Sequence, residues 1–148
     1  MNKPNIEVID TFGDFNYVYY SKRCGKIYDE YLRMWEQIAE AGHALSFLET
    51  GPENGILLEK DNKVIAGAFF DLKSYPSAVL IFILYVEPEY RNLGIWTKLH
   101  SLIDYIGKQN DKTGVYSYIH LKNTVMVEHA AKSIGYEPVM HLVRRSIK

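Results

Sequence analysis

An apolar segment ending at Val86 runs into Glu87-Pro88-Glu89-Tyr90 and then into Arg91-Asn92-Leu93-Gly94-Ile95-Trp96-Thr97, where an amphipathic helix opens at Arg-x-x-Gly. The chemistry open to such a run is anion binding. First-turn N–H groups of a helix have no intrahelical partner, and together with the positive end of the helix dipole they attract phosphate. Arg91, at the turn, adds a permanently charged planar donor. A second group of residues could move protons. His120 has an ordinary pKa near neutrality, whereas Tyr118 and Tyr85 carry phenols that are poor bases at neutral pH. Glu49 and Glu87 are weaker candidates, Glu87 being most simply a solvated turn residue. Asn123 stands ahead of the last expected helix, where Asn either caps orphan N–H groups or touches a ligand. His43, His100, His129 and His141 lack metal-ligand spacing and Cys24 is the only cysteine, so no metal site is expected.

Those groups must be positioned by one modest body. The 148 residues, 47% hydrophobic and 24% charged, suit a single soluble domain over 1–148 that can bury a core. A formal net charge of −1 supplies no global positive field, so neither nucleic acid nor an anionic membrane is an expected partner. The lone Cys24 forms no internal disulfide, and no segment has the length and apolarity of a secretory or membrane-spanning helix, which makes the cytoplasm the expected compartment. Twelve Tyr, 6 Phe and 2 Trp leave a homodimer interface or a substrate channel open beside ordinary packing.

Periodicity places the elements. Ile6 to Ile9 alternates as a strand, and residues 11–24 show no clean period. From Lys26 to Ala41, residues Ile27, Tyr28, Tyr31, Leu32, Trp35, Ile38 and Ala39 share one helical face. Gly55 to Lys60 and Val64 to Phe70 read as a hairpin around Asp61-Asn62-Lys63. Ala78 to Val86 is apolar at every position, the pattern of a central strand covered on both faces. A helix is expected from Leu93 to Lys108, a strand from Gly114 to Leu121, a helix from Asn123 to Ile134 and a closing strand from Tyr136 to Ile147. The order predicts an α/β fold with a mixed, mostly antiparallel central sheet and helices on both faces.

On the run from Leu84 through Arg91 to Gly94, and on Ala131-Lys132-Ser133-Ile134-Gly135-Tyr136, the chain resembles the GNAT (GCN5-related N-acetyltransferase) family. That family's motif reads Arg/Gln-x-x-Gly-x-Gly/Ala, matched here at Arg91 and Gly94, with Trp96 in the last small position. The resemblance implies an acetyl-CoA-dependent N-acetyltransferase that passes an acetyl group directly to a primary amine of a small molecule or peptide. It implies that the backbone of Leu84, Tyr85 and Val86 pairs with pantetheine, and that Asn92, Leu93, Gly94, Ile95, Trp96 and Thr97 cradle the pyrophosphate. Arg91 lies beside them, and Asn123 is a further cofactor contact. The family's usual acid, a Tyr four residues before the Gly-Phe/Tyr pair, is replaced by Ala131, and a Glu used as base in one branch is replaced by Tyr118. Tyr118, His120 and Tyr85 are therefore the catalytic candidates. Trp96 has two readings: a core anchor that leaves the phosphate site intact, or an aromatic facing the phosphate that closes it. The alternative function is a catalytically weak or inactive module of the same fold that binds coenzyme A or another protein.

Overall fold

The computed structural model describes residues 5–42 and 47–117. In chain order its elements are β1 (Ile6–Phe12), β2 (Phe15–Tyr20), α1 (Gly25–Glu40), β3 (Asn54–Lys60), β4 (Lys63–Asp71), β5 (Ala78–Val86), a short 3-10 turn (Pro88–Tyr90), α2 (Ile95–Gln109) and β6 (Gly114–Ser117). Among the described residues the strands form one six-stranded sheet in the order β1-β2-β3-β4-β5-β6. Every pairing is antiparallel except β5 with β6, which runs parallel from Ala78↔Gly114 to Ile81↔Ser117. A parallel neighbour requires a crossover, and α2 supplies it.

Among the described residues each sheet face buries one helix. Ile95, Leu99, Ile103 and Ile106 of α2 pack with Ile56, Leu58, Phe70, Val79 and Ile81 on one side. On the other, Ile27, Tyr31 and Met34 of α1 pack with Leu57, Phe69, Ile83 and Tyr85. Gly67 lets α1 lie close, because a Cβ there would stand 2.9 Å from the Met34 sulfur.

The central strand changes sides partway along. The β4–β5 register shifts between Phe69 and Phe70, so Val79 and Ile81 face α2, Ile83 and Tyr85 face α1, and Leu84 and Val86 return toward α2. A bulge re-aims side chains in this way because strand alternation has a period of two. The fully apolar composition of this strand is what tolerates the switch, since both faces are covered.

The expected bounds of β5 are those observed, and α1 and the β3–β4 hairpin differ from expectation by a residue or two. Residues 11–24 resolve into the end of β1, a turn, β2 and the approach to α1. The second helix begins at Ile95, not Leu93, because Gly94 at φ +84° precedes it in the left-handed region. The expectations for Tyr118 to Leu121, the helix from Asn123 and the strand from Tyr136 lie outside the described residues.

Candidate anion-binding site at the start of α2

Strand β5 delivers the chain to the Pro88–Tyr90 turn, whose first bond, Glu87 N–H to the Ile65 carbonyl at 2.8 Å, extends the β4–β5 pairing by one residue. Asn92 (φ +64°) and Gly94 (φ +84°) then reverse the chain within a few residues. Asn tolerates the left-handed region through local hydrogen bonding, and Gly enters it without a Cβ penalty. Alternation of left- and right-handed residues points successive N–H groups toward one concave side.

The start of α2 is open for an anion. Gly94 is its N-cap, no side chain caps it, and no acidic residue lies in its first turn. Lys98 N–H donates to the Gly94 carbonyl at 3.0 Å, so the N–H groups of Ile95, Trp96 and Thr97 precede the first intrahelical bond. A Cβ added at Gly94 would meet nothing within 4 Å. Arg91, Asn92, Leu93, Gly94 and Thr97 are exposed. This geometry suits a phosphate held by backbone donors at the helix N-terminus.

Arg91 is turned back on the strand. Its Nε donates to the Val86 carbonyl at 2.9 Å, and its guanidinium carbon lies 5.5 Å from the centre of the Tyr85 ring. It therefore ties the loop to the strand end that precedes it. Tyr85 is buried among residues facing α1; burial first, then the Glu87 carboxylate, raises its pKa above the usual 10.0, while Arg91 opposes the shift. A phenol so held stays protonated at neutral pH and is unsuited to be a base.

Glu87 departs from the expectation of a freely solvated turn residue. It forms an ion pair with Arg33 Nη1 on α1. The same guanidinium donates to Glu30 and, at 3.2 Å, to the Val64 carbonyl. One planar cation thus joins α1, the start of β4 and the end of β5, as a guanidinium with several fixed donors can. The sequence carried half of this signal in the i,i+3 spacing of Glu30 and Arg33; the partner 54 positions away was not readable.

Trp96 is half-buried against the cluster facing α2, with its ring 4.3 Å from that of His100. His100 is buried, and its Nδ1 lies 3.1 Å from the Trp96 carbonyl oxygen. Part of the Trp96 side chain thus packs on the core. Leu84 and Val86 pack toward α2, and beyond Ile81 the only partner of β5 among the described residues is β4. Glu49 is exposed. Tyr118, His120 and Asn123 lie outside the described residues. Among the described residues no group of His, Cys, Asp and Glu could hold a metal, and no helix is long and apolar enough to cross a membrane.

Comparison with known proteins agrees with this geometry. A family model described as the acetyltransferase (GNAT) family matches residues 23–136. No curated protein sequence matches the chain significantly. Among solved structures, the aminoglycoside acetyltransferase meta-AAC0020 from an uncultured soil metagenomic sample superposes with a TM-score of 0.67 at 13% identity, over 92% of this chain and 98% of that one. The aminoglycoside N-acetyltransferase AAC(6')-Iy in complex with CoA superposes with a TM-score of 0.58 at 16% identity, over 84% of this chain and 96% of that one. N-acetylglutamate synthase from Neisseria gonorrhoeae, complexed with coenzyme A and N-acetyl-glutamate, gives 0.58 at 14% identity over 75% of this chain. The match spans only 27% of that enzyme's length. At these identities the likeness is one of fold.

Proposed function

The chain belongs to the acetyltransferase (GNAT) family, and from that premise we propose that it transfers the acetyl group of acetyl-CoA to a primary amine of a small molecule or peptide. The observation that carries the cofactor part is the uncapped start of α2, with its left-handed Gly94, following directly on the central strand. The residues present fit coenzyme A. The first-turn N–H groups, which precede the first intrahelical bond, and the concave loop from Asn92 to Gly94 suit a pyrophosphate, and no side chain caps the position. The end of β5, Leu84 to Val86, runs directly into the loop, which is where the resemblance puts the extended pantetheine arm. Trp96, packed against the core and His100, leaves the loop open.

Acetyl-CoA would supply an acetyl group activated as a thioester, whose C–S bond breaks as the amide C–N bond forms, with coenzyme A leaving as the thiol. The chain's own residues have to orient that group and manage a proton. An amine attacks only when neutral, and an alkyl ammonium with a pKa near 10 must first lose a proton. We assign that removal to His120, two positions from Tyr118 in the sequence. Tyr85, kept protonated by burial, is suited to donate a proton and not to accept one. Arg91 and Arg33 act as positioning residues: one holds the Val86 carbonyl, the other holds Glu87, and both fix the strand end on which the acetyl group is placed. Cytoplasmic residence, in keeping with a single cysteine, belongs to the same proposal.

Calorimetric titration with acetyl-CoA, beside the Gly94→Glu variant, tests the cofactor part. Saturable binding abolished by the substitution supports it; no heat at millimolar ligand, with an unchanged melting temperature, overturns it. Thiol release with a panel of amines then tests turnover. Binding with no release from any amine would favour a non-catalytic coenzyme A-binding module.

A further inference from the structure

At the far end of α2 from the Arg91–Thr97 loop, a cavity of about 690 Å³ lies between the end of β2, the start of β3, the end of β4 and the residues after α2. Four cations line it, Lys22, Arg23, Lys73 and Lys112, against the carboxylate of Glu53. That carboxylate is shared, by Arg23 at 3.8 Å and Lys73 at 3.1 Å. Lys112 Nζ donates to the carbonyls of Tyr75 and Pro76 at 2.9 and 3.1 Å, which are neutral partners, and Lys22 forms no ion pair among the described residues. Among the described residues the cavity therefore carries more positive than negative charge, in a chain whose formal net charge is −1.

Its floor is polar and incomplete. Asn54 is only 5% exposed, and its Nδ2 donates to the Tyr19 hydroxyl at 3.2 Å and the Ser21 carbonyl at 3.3 Å. The Ser21 carbonyl can only accept, so the amide orientation is set and Oδ1 is left as a buried acceptor with no donor among the described residues. The Tyr19 hydroxyl accepts from Asn54 and has no acceptor for its own proton among the described residues. Buried polar atoms rarely stay unpartnered, and the buried Asn54, with the half-buried Tyr19 beside it, lines a cavity rimmed with cations.

We propose that this cavity is a second ligand site, taking a small hydroxylated organic anion. The anionic oxygens, carboxylate or phosphate, face Lys22, Arg23, Lys73 and the Tyr19 hydroxyl proton, while a ligand hydroxyl donates to Asn54 Oδ1. The site is separate from the phosphate loop: α2 spans Ile95–Gln109, roughly 20 Å at the helical rise, and Asn110 at its far end borders the cavity. A smaller neighbouring cavity of about 470 Å³ shares Arg23, Glu53 and Lys73 and reaches Leu80 and Phe82, next to the β5 bulge.

The test is calorimetry on the full chain with saturating coenzyme A, which fills the loop, using two pairs of probes: malate against succinate, and glycerol 3-phosphate against inorganic phosphate. The expected result is saturable binding in at least one pair, with the hydroxylated member tighter by about fivefold, as one added hydrogen bond allows. Whichever pair binds identifies the anion as carboxylate or phosphate. Lys22→Gln, at an exposed position, should weaken that binding several-fold, and Tyr19→Phe by roughly tenfold, both with unchanged affinity for acetyl-CoA. No heat from any probe at about 20 mM, equal affinity for the members of each pair, or binding indifferent to both substitutions overturns the proposal. Should coenzyme A itself not bind, the dependence on Lys22 and Tyr19 still reads the cavity alone.

Discussion

The two anion sites proposed at the ends of α2 would work by opposite means. At its start the donors are backbone N–H groups, aligned by Asn92 and Gly94 and left uncapped, with Arg91 drawn back to Val86 instead of projecting into solvent. Beyond its end the charge comes from four long side chains on three separate segments, over a floor of Asn54 and Tyr19. Helix polarity explains the division. The first turn has a positive partial charge of its own, whereas the last turn is negative and repels anions unless side-chain cations outweigh it. A backbone site is rigid and insensitive to most substitutions, and a side-chain site is adjustable one residue at a time.

The largest expected effect breaks the backbone end. Gly94→Glu should weaken acetyl-CoA binding at least about 100-fold by calorimetry, since it puts a negative charge on the phosphate position and a Cβ on a residue at φ +84°. No clash accompanies it, because nothing lies within 4 Å of that Cβ. Gly94→Asn, better suited to the left-handed region, should retain most of the binding. Trp96→Ala comes next and separates packing from ligand contact. It should cost roughly 1–3 kcal/mol of stability in denaturant unfolding and change acetyl-CoA affinity by no more than about threefold. A large affinity change with little loss of stability would mean that Trp96 faces the ligand.

Arg91→Ala should weaken acetyl-CoA roughly tenfold, through a loop no longer tied to the Val86 carbonyl, and Arg91→Lys should restore little because a lysine lacks the fork. The smallest effect concerns the core between the two ends. Burial first, and then the nearby Asp10, pushes the Tyr17 pKa from 10.0 up to about 12. The neutral phenol is favoured in the folded state, so its contribution to stability is complete below pH 10 and is lost as pH rises from 10 through about 12. Tyr17→Phe should leave stability at neutral pH nearly unchanged and flatten the alkaline fall, read as melting temperature against pH.

How legible each part was depends on how local its cause is. The ends of β5 could be read because Lys73-Ser74-Tyr75-Pro76-Ser77 and Pro88 bracket an unbroken apolar run, and α1 because its apolar residues repeat at the helical period. Residues 11–24 could not, since β1 carries a register shift between Val8 and Asp10 and β2 buries Tyr17 and Val18 in succession, which erases alternation. The switch of faces in β5 was equally hidden: an all-apolar strand reads the same with or without a bulge. Arg91 was recognised as a residue of the loop, but its fold-back onto Val86 required the turn geometry.

What the amino-acid order determined alone was the succession of strand, proline turn and helix, and the place of Arg-x-x-Gly at that turn. Both follow from interactions within a few residues, where periodicity and backbone preference act. The tertiary structure decided that Glu87 meets Arg33, that Trp96 lies against His100, and that Lys22, Arg23, Lys73 and Lys112 share one cavity over Asn54. Those meetings depend on strand register and on how each helix lies across the sheet, and a single step of register would send every one of these side chains elsewhere.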